Sequence, residues 1–155
     1  MNLPENKEHR YLVTAADFAI FNSTIIHKVC STYALTREFE WAGRLVLLPL
    51  LQESEEGIGA QMSLSLLHFL VKVVVKQESE EGIGTSVHLE HLAPAFEGEE
   101  VLFTATPRPW QTGEELLVDI EAFVGSRKIA SGYTGQRILP KTTIQKVFEK
   151  AKSIS

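Results

Sequence analysis

Two ionisable side chains, Glu40 and His91, are set into otherwise apolar patterns, and that is where chemistry is expected first. Glu40 stands in the middle of Thr32 to Leu51, TYALTREFEWAGRLVLLPLL, the longest apolar-periodic run in the chain. A carboxylate removed from water is costly unless it is paired or has a task. His91 closes the alternation Val87, Leu89, His91, which puts it on their strand face, directed at the core, while His88, Glu90 and Leu92 point away. A carboxylate and an imidazole meeting in a dry place can activate a water and polarise a carbonyl, because desolvation shifts both pKa values. Two plainer readings stand beside this one. Glu40 turns to solvent next to Arg37 or Arg44, the latter at helical ion-pair spacing, and His91 is a hydrogen-bonded structural histidine.

Other constellations carry less. His88 and His91 lie on opposite faces of a strand and cannot chelate one ion, so no metal is expected. Cys30 with His27 has the residue types of a nucleophile and base, yet a buried structural thiol explains the cysteine as well. The Glu-rich runs read as solvated turns. No G-x-S-x-G, P-loop or dinucleotide fingerprint is present.

The elements that must position Glu40 and His91 follow from periodicity. Leu35, Phe39, Ala42, Val46 and Leu50 mark one face of a helix over Thr32 to Leu51, widened by Leu47, Leu48 and Leu51. Ser31-Thr32 stands at the N-cap, and Pro49 predicts a kink or final turn. Before the helix, Tyr11 to Thr14 is β-prone, and Asn22-Ser23 is a turn after Phe18, Ile20 and Phe21. After it the octapeptide QESEEGIG occurs twice, at Gln52 to Gly59 and, 25 residues later, at Gln77 to Gly84. Each copy reads as a charged turn feeding a strand, the first through Met62, Leu64 and Leu66, the second through Val87, Leu89 and His91. This is a local duplication, residues 60–84, in which Leu66 takes the place of His91; Leu67 to Lys76 suits either a strand or a helix. Strands follow at Glu100 to Thr106, Glu115 to Val124 and Lys128 to Leu139, with Gly125-Ser126-Arg127 as a hairpin turn. Thr142 and Gln145 have capping-box spacing at the head of a C-terminal helix within 141–155. A long helix followed by strands at hairpin spacing makes an α+β fold, an antiparallel sheet on a helix, in a single domain over 1–155.

The totals narrow the class. A chain of 155 residues, 44% hydrophobic and with mean hydropathy near zero, can bury a sizeable core. A net charge of −5 with no basic stripe argues against nucleic acid. One cysteine excludes an internal disulfide. No apolar stretch reaches the roughly 18 residues of a membrane span, and the polar MNLPENKEHR lacks a signal-peptide core, so a cytoplasmic location is expected.

With the insertion set aside, the chain resembles the hotdog-fold thioesterases of the fluoroacetyl-CoA thioesterase type over Tyr11 to Leu139. The residues that carry the likeness are Thr32, Phe39-Glu40-Trp41-Ala42, the glycines of Gly57-Ile58-Gly59, and Thr85-Ser86-Val87-His88-Leu89-Glu90-His91-Leu92-Ala93-Pro94. The family keeps a threonine eight residues before its glutamate and a histidine six after a G-T threonine, as Thr32/Glu40 and Thr85/His91 do here. The resemblance implies a curved antiparallel sheet wrapped around a central long helix, dimerised with the site near the subunit interface. It implies hydrolysis of a small or medium acyl-CoA thioester, CoA being part of the substrate and no cofactor being needed. Glu40 would activate water or attack the thioester carbon, His91 orient and polarise, and Thr32 hydrogen-bond. A glycine N–H would meet the thioester oxygen, from Gly59 counted from the helix or from Gly84 counted from the strand, the latter favoured. The family's G-x-H-x-R becomes Gly132 followed by Tyr133-Thr134-Gly135-Gln136-Arg137, so Gln136 takes the substrate-binding position and Arg137 falls on the opposite face unless Gly135 bulges. Phe18, Ile20, Phe21 and Tyr33 are candidate pocket walls. If the duplication disturbs the site, the alternative is an acyl-CoA or small-ligand binding protein without turnover.

Overall fold

The computed structural model describes residues 4–56 and 80–153, and of residues 52–56 only the backbone. In chain order the elements are β1 (Lys7–Leu12), a single 3-10 turn (Ala15–Asp17), β2 (Phe18–Phe21), β3 (Thr24–Cys30) and the helix α1 (Thr32–Glu56). They continue with β4 (Glu80–His91), β5 (Glu100–Pro107), β6 (Leu116–Val124), β7 (Arg127–Pro140) and a helix α2 (Lys141–Lys152). Five strands form one antiparallel sheet in the order β1-β5-β6-β7-β4, and β2 pairs with β3 in a separate hairpin. Helix α1 touches all five strands of the large sheet. A flat sheet of five strands is about 19 Å across, nearly twice the width of a helix, so contact with every strand requires the sheet to curve around α1.

The core is where alternation meets helical periodicity. Val101, Phe103 and Ala105 from β5, and Leu116, Val118, Ile120 and Ala122 from β6, are buried against Leu35, Phe39, Ala42, Val46 and Leu47 of α1. Phe39 meets Phe103 edge to face, with ring centroids 5.8 Å apart. Local chemistry sets the boundaries. Ser31 caps α1, its hydroxyl accepting the Ala34 N–H at 3.1 Å. Asn22 and Ser23, with φ of 48° and 62°, make the left-handed turn between β2 and β3, and Gly125, with φ of 56°, opens the β6–β7 hairpin.

Three expectations are corrected. Helix α1 does not stop at Leu51 but passes Pro49 and runs to Glu56. The repeated octapeptide is a turn in neither copy as far as it is described. Gln52 to Glu56 extends the helix, whereas Glu80 to Gly84 lies inside β4, paired to β7 from Pro140 to Gln136. Good helix formers prolong a helix already running, but the same letters take strand geometry when a neighbouring strand supplies hydrogen bonds. Gly82 permits this pairing beneath α1, since a β-carbon there would stand 2.6 Å from Leu47 Cδ2. Finally, Thr142 caps nothing, because β7 runs straight into α2 with Pro140 at the N-cap. The alternation Met62, Leu64, Leu66, the segment Leu67 to Lys76, and Gly59 lie outside the described residues. Among the described residues no helix is long and apolar enough to cross a membrane.

Candidate active site

The start of α1 is held from two sides. The Ser31 N–H donates to the Asp17 carbonyl at 2.8 Å, and the Cys30 N–H to the Ala95 carbonyl at 2.8 Å, tying the helix start to the loop that follows β4. His91 is the last residue of β4, immediately before that loop. Its Nδ1 lies 3.2 Å from Thr32 Oγ1 and its Nε2 3.0 Å from the Ala93 carbonyl oxygen. A carbonyl only accepts, so Nε2 carries the hydrogen, and in the neutral ring Nδ1 accepts from the Thr32 hydroxyl. The Thr32 oxygen keeps lone pairs for a further partner.

Two turns along the helix, about 12 Å at the usual rise, Glu40 stands beside β4 at the other end of the same seam. A β-carbon on Gly84 would lie 3.9 Å from Glu40 Oε1. Farther on, Arg44 Nη1 donates to the Gly82 carbonyl at 3.2 Å. Helix α1 and strand β4 therefore run antiparallel, pairing Thr32 with His91 at one level and Glu40 with Gly84 at the next. Neither ionisable group is buried in the single chain, and they do not meet within it. Glu40 is exposed and forms no ion pair with Arg37 or Arg44. His91 is exposed instead of turned into the core, because β4 is the outermost strand and past Gly84 little of α1 covers it; Val87 too is 36% exposed.

A cleft of about 530 Å³ opens between α1 and the sheet, lined among others by Glu40, Arg44, Gly84, Val87, Thr134 and Gln136. Gln136 is buried, while Arg137 is exposed on the other face of β7. The bulge in this region lies on β4, between Gly84 and Ser86, not at Gly135. Thr134 is 1% exposed and its hydroxyl has no hydrogen-bond partner among the described residues. Of the suggested pocket walls, Phe18 is buried and Ile20, Phe21 and Tyr33 are exposed; none lines this cleft.

Among the described residues the buried carboxylates are Glu38 and Asp17, which sequence reasoning missed. Glu38 faces His9, Oε2 to Nε2 at 2.7 Å, and accepts from Arg37 Nε at 2.6 Å. Asp17 accepts from the Tyr11 hydroxyl at 2.7 Å, the Thr14 N–H at 2.9 Å and Arg37 Nη2 at 3.1 Å. Burial alone would push the Asp17 carboxyl up, but these donors together hold it below its ordinary value. The hydrogen bond to Glu38, opposed by partial burial and reinforced by Asp17, raises the Arg37 guanidinium above its usual value. A signal for Glu38 existed, since Ala34, Glu38, Ala42 and Val46 follow one another at helical spacing of four. Cys30 is buried and its thiol is pushed up to about 11, chiefly by burial, while His27 is exposed, so the pair is no nucleophile and base. His88 stacks on Tyr133, centroids 5.4 Å apart.

An antiparallel sheet wrapped around one long helix, with a polar seam along its edge strand, is the hotdog architecture of the thioesterase superfamily. Within it, the chain belongs to the fluoroacetyl-CoA-specific thioesterase (FlK) family, whose model matches residues 13–69 and 70–142. A thioesterase superfamily member from Thermus thermophilus is 26% identical, with a TM-score of 0.73 over 97% of this chain and 92% of that one. A variant of FlK with fluoroacetate and CoA is 18% identical, with a TM-score of 0.67 over 93% of this chain and 98% of that one. A 1,4-dihydroxy-2-naphthoyl-CoA thioesterase from Synechocystis is 16% identical, with a TM-score of 0.56 over 88% and 83%. Comparison with curated proteins finds no match.

Proposed function

We propose that the protein hydrolyses a small or medium acyl-CoA thioester, and that its working form is a homodimer in which each site is shared between subunits. The observation that carries this is the hydrogen bond from Thr32 to His91 across the α1–β4 seam, with Glu40 beside Gly84 one level along. Strand β4 pairs with β7 on one side only among the described residues, and it carries exposed Val87 at its middle. Such an edge is a template for a second strand. The midpoint between Gly84 and His91 falls between Val87 and His88. Antiparallel pairing of two β4 strands about that point sets Gly84 of one subunit opposite His91 of the other. The Thr32–His91 pair then faces Glu40 of the partner subunit, which supplies the meeting absent from one chain.

In that arrangement Glu40 takes a proton from water whose oxygen adds to the thioester carbon. The Gly84 N–H stabilises the developing oxyanion, a contribution of about 2.7–4 kcal/mol per donor in comparable sites, while the Thr32 hydroxyl, which donates to His91, positions the water by accepting its second O–H. The carbon–sulfur bond breaks, and the proton held by Glu40 passes to the departing thiolate. Gln136 contacts the acyl group from the cleft, and exposed Arg137 is left to the CoA moiety outside it. The test is thiol release from a panel of acyl-CoA esters by wild type, Glu40→Gln and His91→Ala. Turnover that both substitutions lower about a hundredfold or more supports the reading; CoA esters bound without release by wild type establish the non-catalytic binding protein instead.

A further inference from the structure

Among the described residues, Thr134 is the one buried polar side chain left without a partner, a state the hydrolytic reading does not explain. It is 1% exposed, it lines the cleft, and its hydroxyl has no partner among the described residues. An unpartnered buried hydroxyl is destabilising, and valine would fill the same shape without that penalty. Gln136, 5% exposed, sits two residues on along β7 and on the same strand face, bringing an amide donor and acceptor to the same wall. Gln136 is paired with Gly84, and Thr134 with Val87. Thr134 is thus about 7 Å along β7 from the level of Gly84 and Glu40. An acyl group whose thioester sits at that level extends past Gln136 to Thr134.

We propose that this wall selects short acyl groups bearing an oxygen substituent, a hydroxyl or keto group, over plain alkyl chains. Thr134 and Gln136 are then its hydrogen-bond partners and determinants of specificity. The proposal rests on the thioesterase reading for the placement of the thioester. Its physical basis is asymmetric: a site that must pair a buried polar group rejects the ligand lacking the complementary group, because the protein's own group is then left unpaired.

The experiment compares β-hydroxybutyryl-CoA with butyryl-CoA, by calorimetric affinity and by thiol release, on wild type and Thr134→Val. Wild type is expected to bind the hydroxy ester about tenfold or more tightly. Thr134→Val should bring the two affinities within about twofold while leaving the melting temperature undiminished. Should Thr134→Val fail to fold, Gln136→Leu must narrow the same ratio. Equal affinity in wild type, binding of neither ester, or a ratio untouched by these substitutions overturns the proposal. Failure of the hydrolytic reading looks different, since the hydroxy ester is then still preferred in binding while no thiol is released from either.

Discussion

Replacing Gly43 with alanine sets two opposed effects against each other at a point where α1 comes close to β7. Alanine in a helix interior is favoured over glycine by about 0.8–1.0 kcal/mol. Against that, the new β-carbon would fall onto the Thr134 hydroxyl, 2.9 Å from Gln136 Nε2 and 3.3 Å from Thr134 Cβ. Thr134 is fully buried between elements that cannot part freely, so the insertion is an overpacking that costs about 1–3 kcal/mol. The clash offsets or exceeds the gain, for a net loss of up to about 2 kcal/mol. For a chain of this size that lowers the melting temperature by up to about 8 °C in a circular-dichroism melt. The double variant Gly43→Ala with Thr134→Ala vacates the contested space, so the two changes should couple by about 1 kcal/mol or more in the direction of rescue. A more stable Gly43→Ala protein, or strictly additive changes, would refute the close approach of helix and strand from which the cleft is built.

Further outcomes follow from the buried charges and the thiol. Asp17 is held below its ordinary pKa, so its stabilisation is present above the unfolded value of roughly 4 and is lost as pH falls through the folded value. Asp17→Asn should cost about 2–4 kcal/mol at neutral pH, allowing for the partly exposed Arg37, and should flatten the acid limb of stability in urea melts below about pH 4. A variant that keeps the wild-type acid slope would remove Asp17 from that role. Cys30, buried and with its thiol near 11, should resist iodoacetamide in the native protein at neutral pH and react once unfolded. Rapid native alkylation would contradict its burial.

What the sequence discloses and what it withholds divide along physical lines. Local chemistry is legible: Ser31 caps the helix, Asn22-Ser23 and Gly125 turn the hairpins, and the alternation of Val101, Phe103 and Ala105 is the buried face of a strand. The family likeness named Thr32 and His91 as site residues, but the hydrogen bond between them, across 59 residues of sequence, was not legible. Position within the sheet is not a local property, so the exposure of His91 on an edge strand could not be read from Val87 and Leu89. Nor could the two fates of QESEEGIG, which depend on whether a helix is already running or a strand lies alongside. Glu40 drew attention as the carboxylate of an apolar helix, while Glu38, two residues earlier, is the one that faces inward to His9 and Arg37. Helical spacing from Ala34 and Ala42 distinguishes the two; an apolar count does not.

The central claim is that Glu40 of one subunit works with Thr32 and His91 of the other, and mixing two disabled proteins tests it most directly. Glu40→Gln and His91→Ala, each inactive alone, are co-refolded in equal amounts and thiol release from an acyl-CoA ester is measured. Random pairing makes half of the dimers mixed, and each mixed dimer holds one site with both residues native, so about a quarter of wild-type activity should return. A mixture as inactive as its components, with mixed dimers demonstrably formed, would contradict the shared site.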